Sequence, residues 1–226
     1  MAIARFKDLC VDTTCGEELG RFWAAALGLA FEPEQERSGR VAGTLTGPTP
    51  QHRVWMNVVP EARSVKQRVH LDVHTDSVQT LVDLGATVVD VRPGWTVLAD
   101  PEGGELCAFV REQVPDHRLY EVSIDCADPA AVASFWGDVF GTPAQHDADH
   151  GWWSVESVPG APFESMVFDA VPEPKTVKNR IHWDVDADDL QPLLDRGATV
   201  VRARGGDIRW TVLADPEGNE FCAFTD

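Results

Sequence analysis

The amino-acid sequence predicts an α+β fold made of four similar units, each with one strand, one helix and three further strands. The nonapeptide Trp-Thr-Val-Leu-Ala-Asp-Pro-Glu-Gly occurs twice, at residues 95–103 and 210–218, so the chain carries an internal duplication. Each half also alternates between period-two apolar patterns, typical of strands, and i, i+3, i+4 patterns, typical of amphipathic helices. The charged, aperiodic segment between the halves predicts two domains, at residues 1–113 and 117–226.

The first half contains the patterns of two such units. In the first unit an apolar helical stripe runs from Leu19 to Leu27 and ends at Gly28. In the second unit Asp76 is predicted to cap a short helix that ends at Gly85. The Asp-Pro-Glu-Gly sequence at 100–103 suits a type I turn between two strands. The predicted strands are Lys7–Thr14, Leu29–Phe31, Arg40–Leu45, Arg53–Val59, Arg68–Val73, Ala86–Val91, Trp95–Ala99 and Glu105–Val110.

The second half repeats this order of strands and helices. Its long helix carries an apolar stripe from Val132 to Phe140 and stops at Gly141, and its short helix carries Leu190 and ends at Gly197. Asp128 is predicted to cap the long helix, whereas Cys15, at the matching place in the first unit, caps poorly. The predicted strands are Glu121–Cys126, Thr142–Gln145, Trp152–Val155, Phe163–Val171, Arg180–Val185, Ala198–Arg202, Arg209–Ala214 and Glu220–Thr225.

The composition narrows the classes of partner. A net charge of −18 and a pI near 4.6 disfavour nucleic acid and anionic membranes, because like charges repel. The first residues lack the apolar core of a signal peptide, and no apolar run approaches the length of a membrane span. Five cysteines without a C-x-x-C pair indicate free thiols in a reducing compartment. We therefore expect a cytoplasmic protein.

The opening strands of the four units share an unusual polar face. One set of alternate residues is apolar and belongs under the helices, whereas the other set is acidic or imidazole-bearing. Because unpaired charges are costly to bury, this second face is expected to meet water or a polar ligand. Its members are Asp8, Cys10 and Asp12; His70, Asp72 and His74; Glu121, Ser123 and Asp125; and His182, Asp184 and Asp186.

Three sequence segments in each half together resemble those of the glyoxalase/bleomycin-resistance/dioxygenase superfamily, which has the vicinal oxygen chelate fold. The likeness rests on Phe22-Trp…Leu27-Gly, on Arg68-Val-His-Leu-Asp-Val and on Asp100-Pro-Glu-Gly…Glu105-Leu-Cys-Ala-Phe, together with their counterparts at 135–141, 180–185 and 215–222. It covers nearly the whole chain. The resemblance implies that two units form one cup-shaped, incompletely closed barrel, so that the chain holds two cups.

In metal-using members, the resemblance places ligands on the first strand of each unit and on the last strand of the even units. By position these are Asp8 and His70 in the first half and Glu121 and His182 in the second. The usual final glutamate is replaced by Cys107 and Cys222, and Glu105 and Glu220 lie two residues earlier as candidate bases. The implied metal sets are thus His182, Glu121 and Cys222, and His70, Asp8 and Cys107. A divalent metal such as Zn, Fe, Mn or Ni is admissible there.

Two functions follow from the resemblance. The first is binding of a small organic molecule without an obligatory metal, because the final-strand glutamate is missing. The alternative is a metal-dependent lyase, isomerase or ring-cleaving dioxygenase acting on vicinal oxygens. One cup could also be mere scaffold, and the longer Glu121 and the bulky Trp183 favour the second half as the working one. Ligand contacts are expected at His70, Asp72, Asp184, Asp125 and Trp183.

Some side chains are expected to lie outside any site. Five histidines have no copy in the other half and are predicted to be surface residues: His52, His74, His117, His146 and His150. The two predicted domains could serve as a pseudo-symmetric monomer or associate as a homodimer. In either case we expect the partner to be a small molecule.

Overall fold

The computed structural model describes residues 2–34 and 41–225, and it contains the four predicted units. Arg40, predicted to begin a strand, lies outside the described residues. The long helices end as expected, because Gly28 and Gly141 both adopt the left-handed conformation at the helix C-terminus. The first unit comprises β1 (Ala4–Thr13), α1 (Gly16–Leu27), β2 (Ala30–Pro33), β3 (Val41–Thr46) and β4 (Val54–Val58).

The remaining units follow the same order. The second comprises β5 (Val69–Thr75), α2 (Val78–Asp83), β6 (Thr87–Arg92), β7 (Trp95–Ala99) and β8 (Glu105–Val110). The third comprises β9 (Leu119–Cys126), α3 (Pro129–Phe140), β10 (Gln145–His146), β11 (Trp153–Glu156) and β12 (Ser165–Ala170). The fourth comprises β13 (Ile181–Ala187), α4 (Gln191–Asp195), β14 (Thr199–Arg202), β15 (Thr211–Ala214) and β16 (Glu220–Phe224).

The strands form two eight-stranded sheets, and each sheet combines one unit from each half of the chain. The first sheet has the order β14-β15-β16-β13-β1-β4-β3-β2, and the second has the order β10-β11-β12-β9-β5-β8-β7-β6. At the centre of each sheet two opening strands pair antiparallel, β1 with β13 and β5 with β9. Each cup therefore combines units from both halves of the chain: unit one joins unit four, and unit two joins unit three.

The hydrophobic core lies between the apolar faces of the sheets. Helix α1 contacts β3 in the first sheet and β5 in the second, and α3 contacts β12 in the second sheet and β1 in the first. Trp23 and Trp136 on these helices are each no more than 1% exposed. Removing such large apolar surfaces from water stabilises the packing of both helices between the sheets.

The duplicated Asp-Pro-Glu-Gly turn links the two sheets. Glu102 follows β7 in the second sheet, yet its carboxylate accepts hydrogen bonds from the backbone N–H groups of Thr14 (2.8 Å) and Cys15 (2.5 Å), where α1 begins. Glu217, from the first sheet, accepts from the N–H of Ala127 (2.8 Å) just before α3. The motif is therefore structural: each glutamate binds the start of a helix that follows a strand of the other sheet.

The helix caps confirm two predictions and correct one. The Asp128 side chain accepts a hydrogen bond from the N–H of Ala131 (3.1 Å) at the start of α3, whereas Cys15 makes no side-chain cap bond. The cap of α2 is Ser77 and not Asp76, because the Ser77 hydroxyl accepts from the N–H of Thr80. None of the helices in the described ranges has the length and apolar character that a bilayer crossing requires.

Candidate functional site

The polar faces of the opening strands are buried inside the two curved sheets. We call the polar face of the first sheet the His182 cup; it contains Asp8, Cys10, Asp12, His182, Asp184 and Cys222. We call the polar face of the second sheet the His70 cup; it contains His70, Asp72, Cys107, Glu121, Ser123 and Asp125. Every one of these residues except His70 is less than 9% exposed, and the His70 side chain is 12% exposed. The faces therefore do not lie on an outer surface, and the burial of so many polar groups makes each cup a candidate site.

In the His182 cup, three donor groups come together across the central strand pair. Cys10 on β1 lies opposite His182 on β13, and the Cys10 thiol is 3.7 and 3.8 Å from the two carboxyl oxygens of Asp184. Ligand atoms of Cys10, His182 and Asp184 all lie within 4.8 Å of one another. Nδ1 of His182 is buried, and no group in the described part of the chain hydrogen-bonds it.

Burial keeps the imidazole and the thiols of the His182 cup uncharged. Burial, aided by the Lys178 ammonium, lowers the pKa of His182 to about 4, so its imidazole is neutral at pH 7. Burial and the neighbouring Asp8 carboxyl raise the pKa of Asp184 to about 7. Burial also raises the pKa of the Cys10 thiol well above its usual value, with the Asp184 carboxylate as the next contribution. The floor of this cup thus offers a neutral imidazole, protonated thiols and a carboxyl that titrates near pH 7.

In the His70 cup, the histidine and the aspartate of the same strand bind each other. Nδ1 of His70 is 2.6 Å from Oδ1 of Asp72, and the backbone N–H of Cys107 donates to the same oxygen at 3.3 Å. Beside them the Ser165 hydroxyl donates to Glu121 at 2.7 Å. The His70, Asp72 and Cys107 donor atoms also lie within 4.8 Å of one another.

The His70 cup holds its charges differently. Burial lowers the pKa of His70, but the opposing effects of the Asp72 carboxylate and the Cys107 side chain are larger. The pKa of His70 is therefore well above its usual value of 6.5. Burial and the nearby Asp72 carboxylate raise the pKa of Glu121 to about 7. Since an imidazolium has no free lone pair, a metal would first have to displace the proton of His70.

The two predicted metal sets are regrouped by the sheet pairing. Glu121 lies on β9 opposite Asp72, so it belongs with His70 and Cys107 and not with His182. Asp8 lies on β1, beside the fourth unit, so it belongs with His182 and Cys222 and not with His70. The sets His182–Glu121–Cys222 and His70–Asp8–Cys107 are therefore incorrect, because each draws residues from both sheets.

Three predicted acids are held by lysines at the ends of the cups. Lys66 binds Asp125 and is 3.5 Å from Glu105, while Lys175 donates to Glu220 at 2.8 Å. The second oxygen of Glu220 accepts from the N–H of Asn179 at 3.1 Å. Glu105, Glu220 and Asp125 therefore all have lysine partners within the protein. None of the three is a carboxylate without a partner that could act directly as a base.

Aromatic side chains form the rims. Trp210 and Phe224 meet at 5.4 Å at the His182 cup, and Trp95 and Phe109 stack at 6.2 Å at the His70 cup. Trp183 is different: it is 1% exposed and packs against Trp136 at 4.8 Å. Its position on the apolar face of β13 directs it into the core, so the expectation of a ligand contact is corrected.

His74 also departs from its prediction as a surface residue. It is only 7% exposed, its ring packs on Tyr120 at 4.4 Å, and its Nε2 is 3.5 Å from Glu164. Alternation along β5 places it on the polar face with His70 and Asp72, which was a sufficient signal.

Sequence reasoning missed several site residues. Strand alternation places Cys10 on the polar face but gives it no role, and it does not indicate the partners that β4, β12 and the linkers supply. Lys66 and Lys178, which hold Asp125 and Asp12, lie four residues before His70 and His182. That repeated spacing would have revealed them. Trp55, whose Nε1 donates to Asp8 at 3.4 Å, and Ser165 carried no such signal.

The sequence profile of the Glyoxalase-like domain family matches residues 8–109 and 121–224. The chain belongs to the glyoxalase-like domain family. No curated protein sequence matches it. Among solved structures, glyoxalase I from Zea mays superposes with a TM-score of 0.70 at 11% identity, covering 98% of this chain and 92% of that one. A putative dioxygenase from Bacillus subtilis subsp. subtilis str. 168 gives 0.66 at 12% identity, covering 98% and 86%. At these identities the likeness establishes the shared fold.

Proposed function

We propose that the chain binds a small organic molecule in the His182 cup and that this binding requires no metal. The observation that carries the proposal is the buried Nδ1 of His182, which no described group hydrogen-bonds. A buried polar atom without a partner costs free energy, and a ligand with a complementary group removes that cost. The floor of the His182 cup thus carries a neutral imidazole with an unsatisfied polar atom.

The lining suggests what kind of molecule fits. The neutral His182, the Asp184 carboxyl with its pKa near 7 and the two thiols suit an uncharged polar group on the ligand. At the rim, Trp210 and Phe224 offer flat apolar surfaces. A molecule with an aromatic or aliphatic body and a hydroxyl, amide or ring N–H at one end matches both regions.

Thermal denaturation tests the proposal. Purified protein in EDTA at pH 7 is screened against neutral aromatic and heteroaromatic compounds that carry one such polar group. A bound compound should raise the stability by RT ln(1 + [L]/Kd). The gain should vanish in His182→Ala and persist in His70→Ala, which serves as the matched control in the other cup.

Two results would contradict metal-free binding at His182. In one, no compound stabilises the wild-type protein although circular dichroism shows it folded. In the other, stabilisation appears only after a metal is added back. Loss of binding in both alanine variants alike would also remove the special role of His182.

The alternative function is metal-dependent chemistry, and the Cys10–His182–Asp184 group favours it. A thiol, an imidazole and a carboxyl within 4.8 Å, with Cys222 beside them, form a donor set that fits Zn²⁺ or another borderline-soft divalent ion. The neutral His182 has an available lone pair, whereas Nδ1 of His70 already contacts Asp72. A metal held there would act as a Lewis acid on adjacent oxygens of a substrate.

Metal analysis separates the two functions. Protein purified without chelator is assayed for Zn, Fe, Mn and Ni, and the assay is repeated on His182→Ala and His70→Ala. Stoichiometric metal that is lost only in His182→Ala would establish the alternative. Turnover of methylglyoxal adducts, catechols or epoxides by the loaded protein would then identify the reaction class.

A further inference from the structure

A cavity of about 630 Å³ lies between two equivalent linkers that the cups do not include. The linkers read Glu-Ala-Arg-Ser-Val-Lys-Gln-Arg at 61–68 and Glu-Pro-Lys-Thr-Val-Lys-Asn-Arg at 173–180. They agree in residue type at every position but the second. Asp12 and Asp125, which are also equivalent, complete the lining. The cavity therefore lies where the two halves of the duplicated chain face each other.

The lining is positive in a protein that is strongly negative. It includes six cationic and four acidic side chains, a local net charge of +2, whereas the whole chain carries −18. A positive cavity within a negative surface attracts small anions selectively. The cationic residues are Arg63, Lys66, Arg68, Lys175, Lys178 and Arg180.

The lysines and the arginines of the cavity differ in their partners. Lys66 binds Asp125, Lys178 binds Asp12, and Lys175 binds Glu220 outside the lining, so all three lysine charges are neutralised. Arg68 donates to the backbone oxygen of Glu173, and Arg180 donates to that of Glu61 at 2.5 Å. Within residues 2–34 and 41–225, no carboxylate pairs with either guanidinium. Each keeps further N–H donors and an uncompensated charge, which is the usual basis for recognising a carboxylate.

The same cavity has apolar walls. Val65 and Val177, one from each linker, are both 41% exposed. The lining therefore combines one exposed valine and one arginine without a carboxylate partner from each linker. A ligand that covered both valines would gain from removing them from water.

We propose that this cavity binds an organic dicarboxylate, with one carboxylate on Arg68, the other on Arg180, and its hydrocarbon middle against Val65 and Val177. The two guanidinium groups without a carboxylate partner, Arg68 and Arg180, match the two carboxylates. The four acids in the lining work against more highly charged anions such as polyphosphates. The cavity shares Asp12 with the His182 cup and Asp125 with the His70 cup, but the arginines and valines proposed to bind the ligand lie outside both cups, and the proposal does not depend on the function proposed for the His182 cup.

Isothermal titration calorimetry with linear α,ω-dicarboxylates from succinate to azelate tests the site. The affinity should pass through a maximum at the chain length that spans the two arginines. The monocarboxylate of that length should bind at least about tenfold more weakly, since it loses one charge-assisted contact. Rising NaCl should weaken binding. Absence of binding across the series, or equal binding of the monocarboxylates, would overturn the proposal.

Variants locate the site. Arg68→Gln and Arg180→Gln should each weaken the best dicarboxylate by about tenfold or more. Arg21→Gln, an exposed arginine on α1 paired with Glu17, should leave its affinity unchanged. Arg68 and Arg180 also join the two linkers through their backbone hydrogen bonds, so their substitution can disturb the fold as well as the site. Val65→Asp is therefore a second test: it keeps both hydrogen bonds, and its carboxylate should abolish dicarboxylate binding by repulsion. Binding that survives Val65→Asp, or that is lost in His182→Ala, would contradict this location.

Discussion

The two cups are built from equivalent strands, yet their histidines are in opposite states. Asp8, Cys10, His182 and Asp184 in one cup correspond to Glu121, Ser123, His70 and Asp72 in the other. His70 is held as an imidazolium by Asp72, whereas His182 is neutral and its aspartate contacts thiols instead. The comparison shows that the same scaffold and the same His-x-Asp sequence do not fix the chemistry; the neighbouring strand does.

The rims diverge in the same way. A bulge follows the same position in β1 and β9, and it brings Lys7 to one cup and Tyr120 to the other. Lys7 lies 5.0 Å above the Phe224 ring and binds Asp186 at 2.9 Å. Tyr120 packs on His74 and Phe109 instead. Both rims thus combine aromatic rings with one cation, but the cation comes from a different place in each: Lys7 lies over Phe224 at the His182 cup, whereas Arg111 lies 5.4 Å from the Tyr120 ring at the His70 cup.

The largest expected effect separates the two histidines. In Asp72→Asn the pKa of His70 should fall, because the carboxylate that stabilises its charge is removed. In Asp184→Asn the pKa of His182 should barely move, since no Asp184 contact stabilises an imidazolium there. NMR titration of the imidazole resonances measures both. An equal response of the two histidines would erase the distinction between the cups.

The second prediction concerns Glu121. Its folded pKa of about 7 is above the usual 4.5, so its contribution to stability is fully present below pH 4.5 and is lost as the pH rises through 7. Glu121→Gln, which can keep the Ser165 bond, should therefore raise the free energy of unfolding at pH 8 by up to about 3 kcal/mol. Urea denaturation at pH 4.5 and pH 8 checks this. A variant as pH-dependent as the wild type would contradict it.

The third prediction compares the starts of the long helices. Glu102→Ala should cost about 1–2 kcal/mol, because Cys15 supplies no cap and Glu102 accepts the N–H bonds there. Glu217→Ala should cost less, because Asp128 still caps α3 through the Ala131 N–H. Chemical denaturation of both variants measures the difference. The reverse order would show that the crossing glutamates have another main role.

The smallest effect is expected at Cys10. In Cys10→Ser a hydroxyl, a stronger donor than a thiol, should bind Asp184 and lower its pKa from about 7, with a stability change within about 1 kcal/mol. The carboxyl carbon resonance of Asp184 followed over pH reports the change. A pKa of Asp184 that stays at 7 would show that burial alone sets it.

Much of the fold was readable from local patterns. The period-two strands, the helical stripes and the terminating glycines placed all four units, with β7 and β8 matching their predicted bounds. The polar face of the opening strands was also readable, because side chains alternate along a strand. The pairing of the units could not be predicted, because a single sequence contains no signal for which distant strands lie side by side.

The sequence by itself determined the duplicated α+β fold, its polar strand faces and the repeated Asp-Pro-Glu-Gly turn. Only the tertiary structure decided that unit one meets unit four, so that Glu121 joins His70 and Asp8 joins His182. It also decided that Glu102 and Glu217 bind helix starts across the sheets. The physical reason is that burial, partners and hence protonation depend on long-range packing, whereas alternation and helical periodicity are properties of neighbouring residues.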